Sequence, residues 1–167
     1  MIRDLADADI AALYDLEGRA TILLAAHGFP WLAGEPGPPV AVFADYLRGN
    51  RTWVAEIGGV PAGYAAAGRV GDAWYLKQLS VDPAMGRRGI GTALLDRVVA
   101  EAKAQSLRHV ALSTFRDVPF NAPFYARRGF AELALEAAPA ALRERFATEC
   151  PPGVDPATRT LMLLDLG

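Results

Sequence analysis

Cysteine is almost missing from this 167-residue chain: Cys150 stands alone. An internal disulfide is therefore excluded, as is any metal site with cysteine spacing, and a reducing, cytoplasmic setting is the matching expectation. Histidine is nearly as scarce. His27 and His109 have no partner at the spacing of a metal site or a catalytic triad, so both read as ordinary surface residues and no metal is expected. No apolar run is long enough to span a bilayer without charges, and no early segment reads as a signal peptide, so no membrane partner is expected. An excess of one charge is lacking too. The 17 Lys and Arg residues against 19 Asp and Glu leave a net charge of −2. The basic residues are scattered beyond two Arg pairs, which argues against a nucleic-acid face. There is no internal repeat, linker or low-complexity tract, and residues 1–167 are expected to form one domain with an adequate core.

The most informative stretch runs from Trp74 to Gly91. It passes from an apolar strand (Trp74-Tyr75-Leu76-Lys77-Gln78-Leu79-Ser80-Val81) through the turn Asp82-Pro83 to Gly86-Arg87-Arg88-Gly89-Ile90-Gly91. Glycines at a helix mouth let main-chain N–H groups approach a ligand, and the helix dipole there favours an anion. Arg87 and Arg88 add two cations at the same place, so the local chemistry points to phosphate, and to pyrophosphate over a single group. A P-loop is excluded because no Lys follows Gly91. A dinucleotide fingerprint is excluded because Leu94 occupies the position of the third glycine, where close helix–strand approach is required.

Elsewhere the pattern alternates between short strands and helices. Ile2-Arg3 reads as a first strand, and Asp7 or Asp9 as a helix cap. Ile10, Leu13, Tyr14 and Glu17 share one helical face, with a second helical piece over Thr21 to Ala26. A Pro/Gly-rich loop covers Gly28 to Pro39, and a short helix Val42 to Arg48. Strands are expected over Thr52–Ile57, Val60–Val70 and Ala73–Val81, joined by turns at Gly58-Gly59 and Gly71-Asp72. A helix over Gly91–Gln105, with Leu94, Leu95, Val98, Val99 and Ala102 buried, leads to a parallel strand Val110–Thr114. A helix over Phe120–Arg128, a strand Gly129–Leu135, a helix Ala140–Thr148 and a strand Thr160–Leu166 complete the chain.

Downstream of the glycine turn lies Asn121-Ala122-Pro123-Phe124-Tyr125-Ala126-Arg127-Arg128-Gly129-Phe130. Taken with Leu79 through Leu95, this resembles the GNAT superfamily of acyl-CoA-dependent N-acetyltransferases, whose second signature is Tyr-x-x-x-Gly-Phe. The resemblance covers about Arg51 to Phe130 well and the N-terminal part loosely. Gly86 departs from it, since the family usually has Gln or Arg there, a contact that Arg87 could supply instead. The resemblance implies an α+β single-domain GNAT-like fold: a central, mostly antiparallel mixed sheet that splays into a V-shaped cofactor cleft, flanked by helices. It also implies acetyl-CoA as acyl donor. Leu79, Ser80, Val81, Arg87, Arg88, Gly89, Ile90, Gly91, Thr92, Asn121, Phe124 and Tyr125 would contact it.

Acetyl transfer to an amine needs an oxyanion donor, an acid for the departing thiolate and a base for the amine. The resemblance places the Leu79 main-chain N–H at the oxyanion and lets Val81 pair with the pantetheine arm. Tyr125 is the candidate acid, because a phenol with pKa near ~10 stays protonated at neutral pH. Its alternative is ring packing between Phe124 and Phe130. Asn121 would bond the pantetheine amides. Relatives often carry Glu or His on the strand before Leu79, where strand alternation here presents Tyr75 and Lys77. Neither is a suitable base, and Glu56 and Glu17, acting through water, are candidates of which none is assigned. Trp31 and Tyr75, with Phe29 and Trp74, are candidates to line an acceptor pocket, and Lys77 to recognise a carboxylate on the acceptor; aromatic core packing and a solvated strand lysine are their alternatives. The expected activity is acetyl transfer to a primary amine of a small molecule. A peptide or protein acceptor, or a non-catalytic acyl-CoA-binding sensor domain, remain the other readings, and homodimer formation is left open.

Overall fold

The computed structural model describes residues 1–167. Its strands are β1 (Ile2–Asp4), β2 (Arg51–Ile57), β3 (Val60–Val70), β4 (Ala73–Val81), β5 (His109–Phe115), β6 (Ala131–Glu132) and β7 (Arg159–Asp165). They hydrogen-bond in the order β1-β2-β3-β4-β5-β7-β6. The helices are α1 (Ile10–Ala25), α2 (Val40–Arg48), α3 (Ile90–Ala104), α4 (Ala122–Ala126) and α5 (Ala140–Glu149). Only β4 and β5 pair in parallel, as the α3 crossover between them requires. The α+β class with a largely antiparallel mixed sheet is thus as expected. Packing divides the chain into two compact units, Met1–Ala67 with Gln78–Val99 and Gly68–Lys77 with Ala100–Gly167.

In the first unit β1, β2 and β3 form an antiparallel ladder, and Gly58 and Gly59 take the positive φ that their hairpin turn demands. Ile10, Leu13 and Leu16, three residues apart on α1, pack with Phe43, Ala44 and Leu47 of α2 and with Val54 and Tyr64 of the strands. Each such fully buried aliphatic chain is worth roughly 1.5–3 kcal/mol. The two helical pieces expected between residues 10 and 26 are one continuous helix. Gly18 does not break it: that position faces open space, and a helical glycine costs only about 1 kcal/mol. Asp9 sits at the N-cap position but does not cap α1; its carboxylate instead accepts the Ala6 N–H (2.8 Å) and both terminal nitrogens of Arg3 (2.7 and 2.8 Å). Trp53 is 1% exposed and lies under the guanidinium groups of Arg51 and Arg97.

In the second unit β5 runs antiparallel to β7, from His109 opposite Asp165 to Phe115 opposite Arg159. Its parallel ladder with β4 is short. Trp74 pairs with Val110 and Tyr75 with Ala111, and there it ends although β4 continues to Val81. α5 covers the face bearing Ala73, Tyr75, Ala111 and Leu161 with Leu142 and Phe146. Trp74, 5% exposed, is buried here as well. α4 is shorter than the expected Phe120–Arg128. Pro123 lies in its first turn, and Gly129 at φ +92° ends it, the Phe130 N–H closing on Tyr125 O at 3.2 Å. β6 is also shorter than expected, because a 3₁₀ turn at Leu135–Ala137 takes over the chain. No helix is long and apolar enough to cross a membrane.

Candidate functional site

The turn between β4 and α3 is organised by Asp82. Its carboxylate accepts the Ala84 N–H at 3.0 Å and Arg19 at 2.6 Å, fixing Pro83–Met85 as a single 3₁₀ turn. The bond from Arg19 holds the Asp82 carboxyl below its ordinary pKa. Beyond it the backbone alternates: Gly86 has φ −60°, Arg87 +62° and Gly89 +75°. A non-glycine residue at positive φ is uncommon, and such strain is kept where the surroundings require it. Alternating signs of φ aim successive N–H groups into one concavity. From Arg87 to Gly91 the main-chain N–H groups donate to no protein acceptor, while the Ala93 N–H closes on Gly89 O at 3.0 Å. Arg87 and Arg88 are exposed and form no ion pair. Unpaired N–H groups, the positive end of a 15-residue helix and two unneutralised cations together make an anion cradle.

Gly63 of β3 brings this cradle close to the sheet. A Cβ there would lie 2.8 Å from Ser80 O, 3.1 Å from Ile90 Cγ2 and 3.3 Å from Leu94 Cδ1. The missing side chain is what lets β3 run against β4 and the first turn of α3. Ile90, itself buried, pins the helix mouth.

Glu17 of α1, one of the two base candidates, is already engaged. It accepts the Tyr64 hydroxyl at 2.7 Å, the Ser80 hydroxyl at 2.6 Å and Gln78 Nε2 at 3.0 Å. Burial, reinforced by Glu17, pushes the Tyr64 pKa well up. Gln78 and Ser80 flank Leu79, so Glu17 holds in place the strand segment whose N–H is the candidate oxyanion donor. Glu56, the other candidate, accepts Arg3 Nε at 2.6 Å at the far end of β2. Ser80 keeps its side chain on Glu17, leaving only its main chain for a ligand, while Leu79, Val81, Gly91 and Thr92 are half-buried.

In the second unit Tyr125 is 7% exposed, its ring set edge-on between Phe124 (5.1 Å) and Phe130 (5.7 Å). Its hydroxyl donates to no protein acceptor, and burial raises its pKa above the ordinary tyrosine value. A neutral phenol with an uncommitted proton is what a general acid requires. Packing and proton donation are therefore compatible rather than rival accounts of this residue. Asn121 precedes α4, and its Oδ1 accepts the Thr114 hydroxyl at 2.5 Å.

The candidate acceptor residues fare unequally. Trp31 is 47% exposed in a 3₁₀ turn and touches Phe29 edge-on at 5.7 Å. The Tyr75 ring belongs to the core and is fully buried, so only its hydroxyl has a polar role to play. That hydroxyl makes no well-formed hydrogen bond, and burial with nearby Glu149 drives its pKa far up. Lys77 is half-buried, and desolvation with the charge of Arg145 lowers its pKa.

Around Tyr75 and Lys77 stand residues that the sequence did not single out: Arg145 and Glu149 of α5, and Arg159 of β7. Arg145 Nε meets Glu149 Oε1 at 3.0 Å, an i, i+4 pair that in sequence reads as a surface contact. Here Glu149 is largely covered, and desolvation raises its carboxyl pKa against the pull of Tyr75, Arg145 and Arg159.

A family model described as Acetyltransferase (GNAT) family matches residues 12–130. An amino-acid acetyltransferase of Mycobacterium tuberculosis is 33% identical over 85 residues, 48% of this chain and 46% of that protein. The chain therefore matches less than half the length of that relative. Among solved structures, the PaiA N-acetyltransferase of Thermoplasma acidophilum, in complex with coenzyme A, superposes with a TM-score of 0.72 at 15% identity, over 99% of this chain and 98% of that one. The ribosomal-protein-S18-alanine N-acetyltransferase of Escherichia coli gives a TM-score of 0.70 at 21% identity, over 100% of this chain and 94% of that one.

Proposed function

The chain belongs to the GNAT acetyltransferase family, and from that premise we propose that it transfers an acetyl group from acetyl-CoA to a primary amine of a small molecule. The observation that carries this reading is the cradle from Arg87 to Gly91, with its unpaired N–H groups and two free arginines. It fits the pyrophosphate of coenzyme A, the molecule in complex with the Thermoplasma acidophilum protein.

In the proposed reaction Arg87, Arg88 and the N–H groups of Gly89, Ile90 and Gly91 hold the diphosphate, and Thr92 lies at the same helix mouth. Val81 pairs its main chain with the pantetheine arm, which Asn121 and Phe124 also contact. The Leu79 N–H stabilises the oxyanion formed when the amine nitrogen attacks the thioester carbonyl carbon. As the new C–N bond persists and the C–S bond breaks, Tyr125 gives its proton to the departing sulfur. The amine proton leaves to solvent, and with it Tyr125 is restored through water.

A second reading, a peptide or protein acceptor, is favoured by the exposed apolar residues Ile22, Trp31, Val40 and Val42 of the first unit. A similar fold in the Escherichia coli S18-alanine enzyme is consistent with it.

The test combines thermal shift with free-thiol release. Acetyl-CoA should raise Tm by mass action, and a panel of amines should release coenzyme A above the hydrolysis background. Arg88→Ala should raise the acetyl-CoA KM and leave the acceptor KM nearly unchanged. No shift at millimolar acetyl-CoA overturns the donor assignment; binding without thiol release from any amine or peptide leaves a pure acyl-CoA binder.

A further inference from the structure

The second unit covers more positive charge than it neutralises. Arg159 is 8% exposed. One of its terminal nitrogens donates to Ser113 Oγ at 2.9 Å, and its guanidinium lies 4.9 Å from the Phe115 ring centre. Its Nε is buried with no acceptor, and no carboxylate reaches salt-bridge distance. Lys77, on the same side of the same sheet, also lacks a carboxylate partner. Arg145 lies 5.7 Å over the Tyr75 ring and holds the one carboxylate of the cluster, Glu149, whose charge is felt by Arg159 and Lys77 as well. Tyr75 stays neutral and adds no negative charge. Three cations thus share a single carboxylate.

Burying a guanidinium with an unsatisfied donor and no carboxylate in direct contact is costly unless something supplies the missing acceptor. Arg159 also lines an open groove of about 540 Å³ together with Arg116, Phe146, Leu161 and the carboxylates Glu132 and Glu136. Arg116 pairs with Glu132 at 2.6 Å, and neither groove carboxylate forms an ion pair with Arg159. Of the cluster, Arg159 alone borders this space. The planar guanidinium pairs well with a planar carboxylate. A phosphate dianion would meet stronger repulsion from Glu149 than a single carboxylate would. Lys77 stands two residues before Leu79 on β4, a strand distance of about 7 Å.

We propose that Lys77 and Arg159, with Arg145 held by Glu149, bind a carboxylate carried by the acceptor, so that the amines acetylated are amino acids rather than simple alkylamines. This inference rests on the acetyltransferase reading and assigns its acceptor class. Arg145 and Glu149 position the cluster; Lys77 and Arg159 make the contact.

The experiment compares free-thiol release with acetyl-CoA for each amino acid of a panel, its carboxamide and its decarboxylated amine. At least one amino acid should exceed its carboxamide by ~10-fold or more in kcat/KM, the loss expected for one charge-assisted hydrogen bond. Lys77→Gln should raise the acceptor KM and shrink that preference, move the acetyl-CoA KM by less than about twofold, and be rescued by Lys77→Arg. Arg159→Gln should do the same where it folds; being half-exposed, Lys77 carries the test on its own if it does not. Carboxamides turned over as well as every amino acid, or a full preference surviving in Lys77→Gln, overturn the carboxylate site while leaving an acetyltransferase. Absence of both acetyl-CoA stabilisation and thiol release would instead remove the acetyltransferase reading, and this inference with it.

Discussion

Replacing Glu17 by alanine should cost the protein a large part of its stability, and the structure says why. One carboxylate receives the hydroxyls of Tyr64 and Ser80 and the amide of Gln78, at 2.7, 2.6 and 3.0 Å. Tyr64 is 1% exposed and Ser80 6%, so water cannot easily replace the lost acceptor. Hydrogen bonds to a charged group contribute roughly 1.5–3 kcal/mol each, and buried donors left without a partner carry their desolvation cost. The three share one acceptor and are not additive, so about 3 kcal/mol is expected, against a typical total of roughly 5–15. Glu17→Gln keeps one acceptor oxygen and should lose about half as much. Urea unfolding followed by circular dichroism would read this as a midpoint lowered by on the order of 1–2 M at an unchanged slope. The double mutant Glu17→Ala/Tyr64→Phe should show a coupling above about 1 kcal/mol, because removing the hydroxyl relieves the orphaned donor. A Glu17→Ala loss below about 1 kcal/mol with no coupling to Tyr64 would refute the hub. Activity should fall through kcat, since Gln78 and Ser80 hold Leu79 from both sides.

Tyr125→Phe keeps the edge-on packing with Phe124 and Phe130 and removes only the hydroxyl, so acetyl-CoA should still bind while kcat drops by roughly 10²-fold. An unchanged kcat, with chemistry shown to be rate-limiting, would reduce the residue to packing. Gly63→Ala places a methyl 2.8 Å from Ser80 O, and should lower Tm and weaken acetyl-CoA together by pushing β4 and α3 away from β3; wild-type behaviour would show the approach to be slack. The Asp9 carboxyl is held below its ordinary value of 3.8 by its bond from Arg3. A depressed folded pKa gives stability that is full above the unfolded value and is lost as pH falls through the folded one. Asp9→Asn should therefore lower Tm at neutral pH and narrow its gap to wild type below about pH 4, measured by calorimetry across pH 2–7.

Strand positions were the most legible part of this sequence. The runs at 52–57, 60–70, 73–81 and 110–114 are bounded by Gly-Gly, Gly-Asp or a helix of ordinary length, so local chemistry alone marks their ends. The turn proposed to cradle phosphate was legible as a turn for a similar reason: glycines, a helix start and two arginines are adjacent in sequence. The continuity of α1 was not, because the apolar face ends at Glu17 and resumes only at Thr21, while packing of Leu13 and Leu16 anchors one unbroken helix. Nor was Glu17 readable as a hub, since its donors lie 47, 61 and 63 residues away. The acceptor cluster escaped notice on the same principle. Arg145 and Glu149 look like a helix-surface pair, and only the register of Phe115 opposite Arg159 brings a third charge to them.

The burial of Trp53 and Trp74 has a practical consequence for spectroscopy. Each compact unit contains one enclosed indole, Trp53 in the first and Trp74 in the second, whereas Trp31 faces solvent. With Trp31 and one of Trp53 or Trp74 changed to Phe, the emission of the two single-tryptophan variants would report separately on the loosening of either unit. Arg51 and Arg97 over Trp53 make its fluorescence sensitive to the loss of those cations as well as to water entry. The chain thus carries two internal probes, already placed, for asking whether its halves melt as one body or in sequence.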